Sequence, residues 1–307
     1  MFTARNKGRL AIGAVVVGAA LALSGCASGD PLSSGSTSGS GDSESKTITV
    51  GSAGFLESEI IAEVYAQALE NAGYAVTRTF QIGEREVYTT SLEEGDIDVI
   101  PEYSGNLLQF YAPDTAATSS EDVYAALPDA LPDGLEVLDQ SEAQDGDSYT
   151  VTREFADQYG LSEIGDLTKV DVPLTIGGGP ALEERPYGPA GALKTYGVTI
   201  GFAATGDATL DSLVAKTINV ADIFTTDPGI AANDLVVLKD PKNLLLAQNV
   251  LPLVRSEHAA DIADVLNPIS AALTTDTLIQ FNTSASVDQQ SSEKIATDWL
   301  TENGFLK

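Results

Sequence analysis

Residues 47–80 read TITVGSAGFLESEIIAEVYAQALENAGYAVTRTF, and the fold turns on how this stretch is taken. Residues 47–50 are a short β-branched run that predicts a strand, and the small residues 51–54 predict a loop. Ile60, Ile61, Val64, Tyr65, Ala68 and Leu69 then recur at helical spacing, and Ala72-Gly73 closes the helix. Residues 74–80 alternate as a second strand. Strand, helix and strand in this order make a βαβ unit, which implies a parallel sheet with ligands gathered beyond the carboxyl ends of its strands.

Working downstream, Glu93-Glu94-Gly95-Asp96 ends another helix and residues 97–100 form the next strand. The segment DVIPEYSG (98–105) then reads as a strand stopped by Pro101, with Tyr103 displayed in a turn at the carboxyl end. A second α/β block follows. Residues 149–152, 173–176, 198–202 and 220–224 are strand-like, 154–160 and a stretch from about 209 are helical, and 177–180 (GGGP) is a loop. Two strand-like segments, 135–139 and 235–238, lie between the blocks and are the expected crossings of a hinge. Residues 250–307 carry a helical pattern and are expected to return to the first block. The expected body is therefore α/β in two lobes: 47–140 and 244–307 in the first, 141–243 in the second.

The amino-terminal residues predict a different role. Arg5, Lys7 and Arg9 precede an apolar run from Leu10 to Leu23, and Leu23-Ser24-Gly25-Cys26 has the form of a lipobox. That run is short for a bilayer span, so residues 1–25 read as an export signal and Cys26 as a lipidation site. Residues 26–46 are mostly Gly, Ser and acid, a composition unable to bury enough apolar area to offset the entropy of ordering. They read as a tether between lipid and body, outside the cytoplasm at the outer face of the cell membrane.

Composition excludes several functions. Against 16 Lys+Arg stand 45 Asp+Glu, a formal net charge of −29, which repels nucleic acid. Cys26 is the single cysteine and His258 the single histidine, so neither disulfides, nor a His/Cys metal set, nor a Ser-His-Asp arrangement is available. GGGP lacks the lysine and hydroxyl residue of a phosphate loop, and no calcium-loop spacing occurs among the acids. A binding protein without enzymatic activity or cofactor, working as a monomer, is the expectation.

Five stretches carry a resemblance: GSAGFLESEIIAEVYAQALENAGY, GDIDVIPEYSG, DSYTVTREFADQYGL, GGGPALEERPYGPAGALKTYG and VADIFTTDPGIAANDLVVLKD. In this order and spacing the chain resembles the substrate-binding lipoproteins of ABC importers for glycine betaine, choline, carnitine and related osmolytes. That family has the type II periplasmic-binding-protein fold. The resemblance implies an interlobe cleft, a quaternary-ammonium solute and an ABC permease as partner. A quaternary ammonium has no N–H to donate, so aromatic faces must hold it, each giving roughly 0.5–2 kcal/mol. The resemblance places Tyr103 and Tyr149 at two walls of such a cage, Phe224 at a third that is usually tyrosine, and Arg185 at a carboxylate-binding position. Three positions depart from the pattern. Gln248 stands where a fourth cage tyrosine is usual, Ala53 where a lysine is common, and Asn106 where a threonine is common. The two amides suit hydroxyls, which leaves open a larger or more hydroxylated solute, as well as a sensor or scavenger role without a transporter. Tyr88, Tyr111 and Tyr187 are further rings that could serve.

Overall fold

The computed structural model describes residues 47–306. The export signal, Cys26 and the tether expected at 26–46 lie outside the described residues. Among the described residues, no helix is long and apolar enough to cross a membrane.

Two five-stranded sheets organise the body. The first has the order β2-β1-β3-β10-β4, built from β1 (Thr47–Gly51), β2 (Ala75–Thr79), β3 (Val99–Tyr103), β4 (Leu135–Val137) and β10 (Val250–Arg255). The second has the order β7-β6-β8-β5-β9, built from β5 (Tyr149–Thr152), β6 (Thr175–Gly178), β7 (Gly201–Ala204), β8 (Val220–Asp222) and β9 (Leu235–Val237). The two orders follow the same plan. In each, three strands run parallel through helical crossovers and a strand from the other side of the sequence is inserted antiparallel beside the third. The expected two-lobed α/β architecture is observed.

The opening stretch folds as its pattern dictates. The helix Leu56–Asn71 buries Ile60, Ile61, Val64, Tyr65 and Leu69 against Ile48 and Val50 of β1, and Gly73 ends it with φ +98°, a conformation glycine adopts without a Cβ clash. The opposite face of the same sheet is covered as well. There Ile97, Ile100, Leu251 and Leu253 pack with Leu92, Leu107 and Leu127 from three helices. A sheet buried on both faces loses the two-residue alternation that marks a half-exposed strand.

Three expectations change. Residues 250–255 (VLPLVR) form the interior strand β10, between β3 and β4, followed by the helices Ser256–Ala272, Thr275–Ser286 and Ser292–Glu302; the carboxyl-terminal stretch is not helical throughout. Pro101 does not stop β3, which runs on to Tyr103. It lies opposite Pro252 in the β3/β10 register, so the two residues without an N–H share one rung. Finally, residues 135–137 and 235–237 are edge strands of their own sheets, and the crossings follow them. Ser141 N donates to Val250 O (2.8 Å), Val250 N to Ala143 O (3.0 Å) and Asp145 N to Gln248 O (3.1 Å), so the two crossing chains are paired with each other where the lobes join.

Candidate functional site

Both sheets bring their strand ends to one cleft of about 510 Å³. From the first lobe it is lined by Ala53 and Phe55 beyond β1, Arg85 and Tyr88 at the start of the helix Arg85–Glu94, Tyr103 at the end of β3, and Asn106 in the helix Ser104–Tyr111. From the second come Arg185 and Tyr187 beyond β6, and Asp222 and Phe224 at the end of β8. Asp145 and Asp147, in a crossing chain, complete the floor.

Five rings therefore face one space: Phe55, Tyr88, Tyr103, Tyr187 and Phe224. Phe55 is central to them, with its centroid 5.9 Å from that of Tyr103 and 5.5 Å from that of Phe224 across the lobes. Phe224 is 40 % exposed, a large apolar surface turned to the cleft rather than to a core.

Adjacent residues of β3 send their side chains to opposite faces, and each is fixed by a different network. The Tyr103 hydroxyl donates to Glu57 Oε1 (2.6 Å), whose Oε2 accepts from Thr226 Oγ1 (2.8 Å) and Asn282 Nδ2 (2.6 Å). Glu57 thus ties the second lobe, through Thr226, to the first. Glu102, fully buried, accepts both Arg85 Nε (2.8 Å) and Nη2 (3.0 Å) and the Tyr88 hydroxyl (2.6 Å). Burial pushes the Tyr103 and Tyr88 hydroxyls well above their ordinary pKa, so both rings are neutral walls.

The floor is acidic. Asn106 Nδ2 donates to Asp147 Oδ2 (2.6 Å), a second bond between lobes, and Ser148 N donates to Asp222 Oδ1 (3.2 Å). Burial, and then the charge and hydrogen bond of Asp147, raise the Asp222 carboxyl well above the usual range; burial and Glu57 do the same to Asp145. Among the described residues, no group of three or more His, Cys, Asp or Glu is arranged to hold a metal ion.

Of the residues singled out in the sequence, Tyr103, Asn106, Ala53, Arg185 and Phe224 line the cleft, and Tyr149 and Gln248 do not. Tyr149 is 1 % exposed in the second lobe's core, where its hydroxyl donates to Tyr187 O (2.7 Å). Tyr149 thus holds the backbone of Tyr187, which lines the cleft from the loop after β6. Gln248 lies behind Asn106. Its Nε2 donates to Asn106 Oδ1 (2.6 Å) and its Oε1 accepts from Asn106 N (3.0 Å), so its amide orients Asn106 toward Asp147. Gly105 permits this approach, since a Cβ there would stand 2.6 Å from Ala247 O and 3.0 Å from Gln248 Nε2. Of the further rings considered, Tyr88 and Tyr187 line the cleft while Tyr111 packs on Phe110 outside it.

Sequence reasoning missed Phe55, Arg85 and the carboxylates of Asp145, Asp147 and Asp222. Phe55 carried a usable signal: it follows β1 at the carboxyl end, the same placement that drew notice to Tyr103. Asp145-Gly146-Asp147 also stood in view just ahead of Tyr149, but its role depends on where the crossing chains pair.

A family model described as the substrate binding domain of ABC-type glycine betaine transport systems matches residues 46–302. The chain belongs to this family. Among curated relatives, the glycine betaine-binding protein YehZ of Escherichia coli is 27 % identical over 282 residues, covering 85 % of this chain and 92 % of that protein. A glycine-betaine-binding protein of Pseudomonas aeruginosa is 26 % identical over 285 residues, covering 87 % and 91 %. Among solved structures, a glycine betaine/carnitine/choline ABC transporter protein superposes with a TM-score of 0.69 at 20 % identity, covering 85 % of this chain and all of that one. Apo YehZ superposes with a TM-score of 0.62 at 25 % identity, over 84 % and 99 %. The family supplies the two-lobed fold, and the cleft at its lobe junction is where this chain's own residues converge.

Proposed function

We propose that this protein captures a small quaternary-ammonium solute outside the cytoplasm and delivers it to an ABC permease. The observation that carries the reading is the convergence of five aromatic rings and a carboxylate floor on one cleft between two lobes. Ring faces attract a cation that has no N–H to offer, and desolvation between the lobes strengthens each contact. Phe55, Tyr103 and Phe224 form the cation wall. Asn106 and Ala53 set its near edge, Gln248 holds Asn106, and Tyr149 holds Tyr187.

Arg185, Glu57 and Asn106 fasten the lobes once the solute bridges them, and the closed form is the one that docks on the permease. Cleavage after residue 25, lipidation of Cys26 and a tether through residue 46 keep a monomeric body at the membrane's outer face. In this reading the lobe boundaries are 140/141, beside the first paired residue of one crossing chain, and 243/244, ahead of the paired stretch of the other.

Calorimetric titration of the full chain with choline, glycine betaine and carnitine tests the reading. Saturable one-to-one binding of at least one is expected. No heat from any of them, against a folded protein, overturns it.

A further inference from the structure

Two arginines line the cleft, and both are already taken by carboxylates. Arg85 gives its fork to buried Glu102. Arg185 reaches across the lobes, where Nη1 donates to Glu86 Oε1 (2.7 Å) and Nη2 to Glu86 Oε2 (3.3 Å), with Glu84 Oε2 at 3.8 Å from Nη2. Arg185 is 14 % exposed as a side chain, whereas Glu84 and Glu86 are 59 % and 53 % exposed. The remaining charged residues on the wall are all acids: Asp145, Asp147, Asp207, Asp222 and Asp227, with Glu84 beside them.

We infer that Glu86, by occupying Arg185, is a specificity-determining residue that makes the cleft select a quaternary ammonium bearing a hydroxyl or no polar tail over one bearing a carboxylate. This deepens the proposed function and rests on it. Trimethylammonium head groups are alike to the rings whether the tail is an alcohol or a carboxylate. The tail decides, because a carboxylate needs a donor fork or an unpaired cation. An ion pair half open to water is a weak fastening. Its selectivity comes from geometry: a Glu86 displaced from Arg185 stays on the first turn of its helix, with Glu84 next to it. Both acids would then lie beside the incoming carboxylate, and repulsion would cancel the arginine's attraction. A hydroxyl meets no such opposition and finds acceptors on the floor in Asp147 and Asp222.

The test is calorimetry of the full chain and of Glu86→Gln with choline and with glycine betaine, which share the head group and differ in the tail. Wild type is expected to bind choline about tenfold or more tightly than glycine betaine. Glu86→Gln is expected to gain about tenfold for glycine betaine while choline affinity moves by less than about threefold. Glu86 is exposed on the first turn of its helix, so the variant folds; circular dichroism and the thermal midpoint verify it. Equal or tighter binding of glycine betaine by wild type overturns the inference and leaves quaternary-ammonium capture standing, as does an unaltered glycine betaine affinity in Glu86→Gln. Failure of both solutes to bind overturns the inference, and the proposed function falls with it when carnitine gives no heat either.

Discussion

Replacing Phe55 by alanine removes the ring that joins the two halves of the proposed cage. Its centroid lies 5.9 Å from Tyr103 and 5.5 Å from Phe224, so one truncation deletes a wall for the cation and two ring pairs. A cation contact that becomes desolvated on closure contributes about 1–2 kcal/mol, which converts to roughly 5- to 30-fold in Kd. The Phe55–Phe224 pair adds about 0.5–1.5 kcal/mol in favour of the closed arrangement, because it spans the lobes. Together these are about 1.5–3.5 kcal/mol, so Phe55→Ala should weaken choline binding by about 10- to 400-fold in calorimetry. Phe55→Leu separates the causes: it keeps apolar bulk but has no quadrupole, and it should recover less than half of the lost free energy. Phe55 is half-buried in a loop, so neither variant should lower the thermal midpoint by more than a few degrees. Phe55→Ala with unaltered affinity would refute the cage, and full recovery by leucine would reduce it to plain apolar burial.

Other perturbations reach the site's supports. Arg85→Leu leaves Glu102 fully buried and without its cation, and urea unfolding should show a loss of about 3–5 kcal/mol; a loss under about 1 kcal/mol would contradict the buried pair. Thr226→Val deletes one of the hydrogen bonds by which Glu57 ties the lobes. X-ray scattering of the solute-free protein should show a larger radius of gyration, consistent with the loss of about 1 kcal/mol of closure energy. Titration of the floor gives a pH dependence with a defined sign. Asp145 and Asp222 have carboxyls raised in the folded state, so their contribution to stability is complete below the unfolded value of about 3.9 and is lost as pH rises through the folded values. The same protons must leave before the floor attracts a cation fully. Choline affinity should rise with proton release as pH is raised above the ordinary carboxylate range, and Asp222→Asn should flatten that rise; affinity that falls with pH would contradict the assignment.

What the sequence disclosed depended on which residues were half-exposed and which were not. The helix Leu56–Asn71 has a clear apolar stripe, and the two strands about it have turn residues at their ends, so the first βαβ unit and the parallel sheet could be read directly. β10 could not, since a strand buried on both faces has no alternation and VLPLVR fits a buried helix as well. Tyr103 was legible as a residue at a strand's carboxyl end, and Phe224 and Arg185 through resemblance. Tyr149 was misplaced because its strand was right and its rotation was not: whether a strand residue faces cleft or core depends on register with β8 and β9, which a single sequence does not specify. Gln248 and Asn106 looked like two amides offered to a solute. Only their juxtaposition, 142 positions apart, shows that most of their hydrogen-bonding capacity serves each other and Asp147.

The central claim is that a cation sits among rings contributed by both lobes. A crystal structure of the protein with choline bound tests it most directly. The trimethylammonium nitrogen should lie within about 6 Å of the ring centroids of Phe55, Tyr103 and Phe224, with the Glu86–Arg185 pair intact beside it. Choline bound elsewhere, with those three rings collapsed on one another or turned away, would contradict the account.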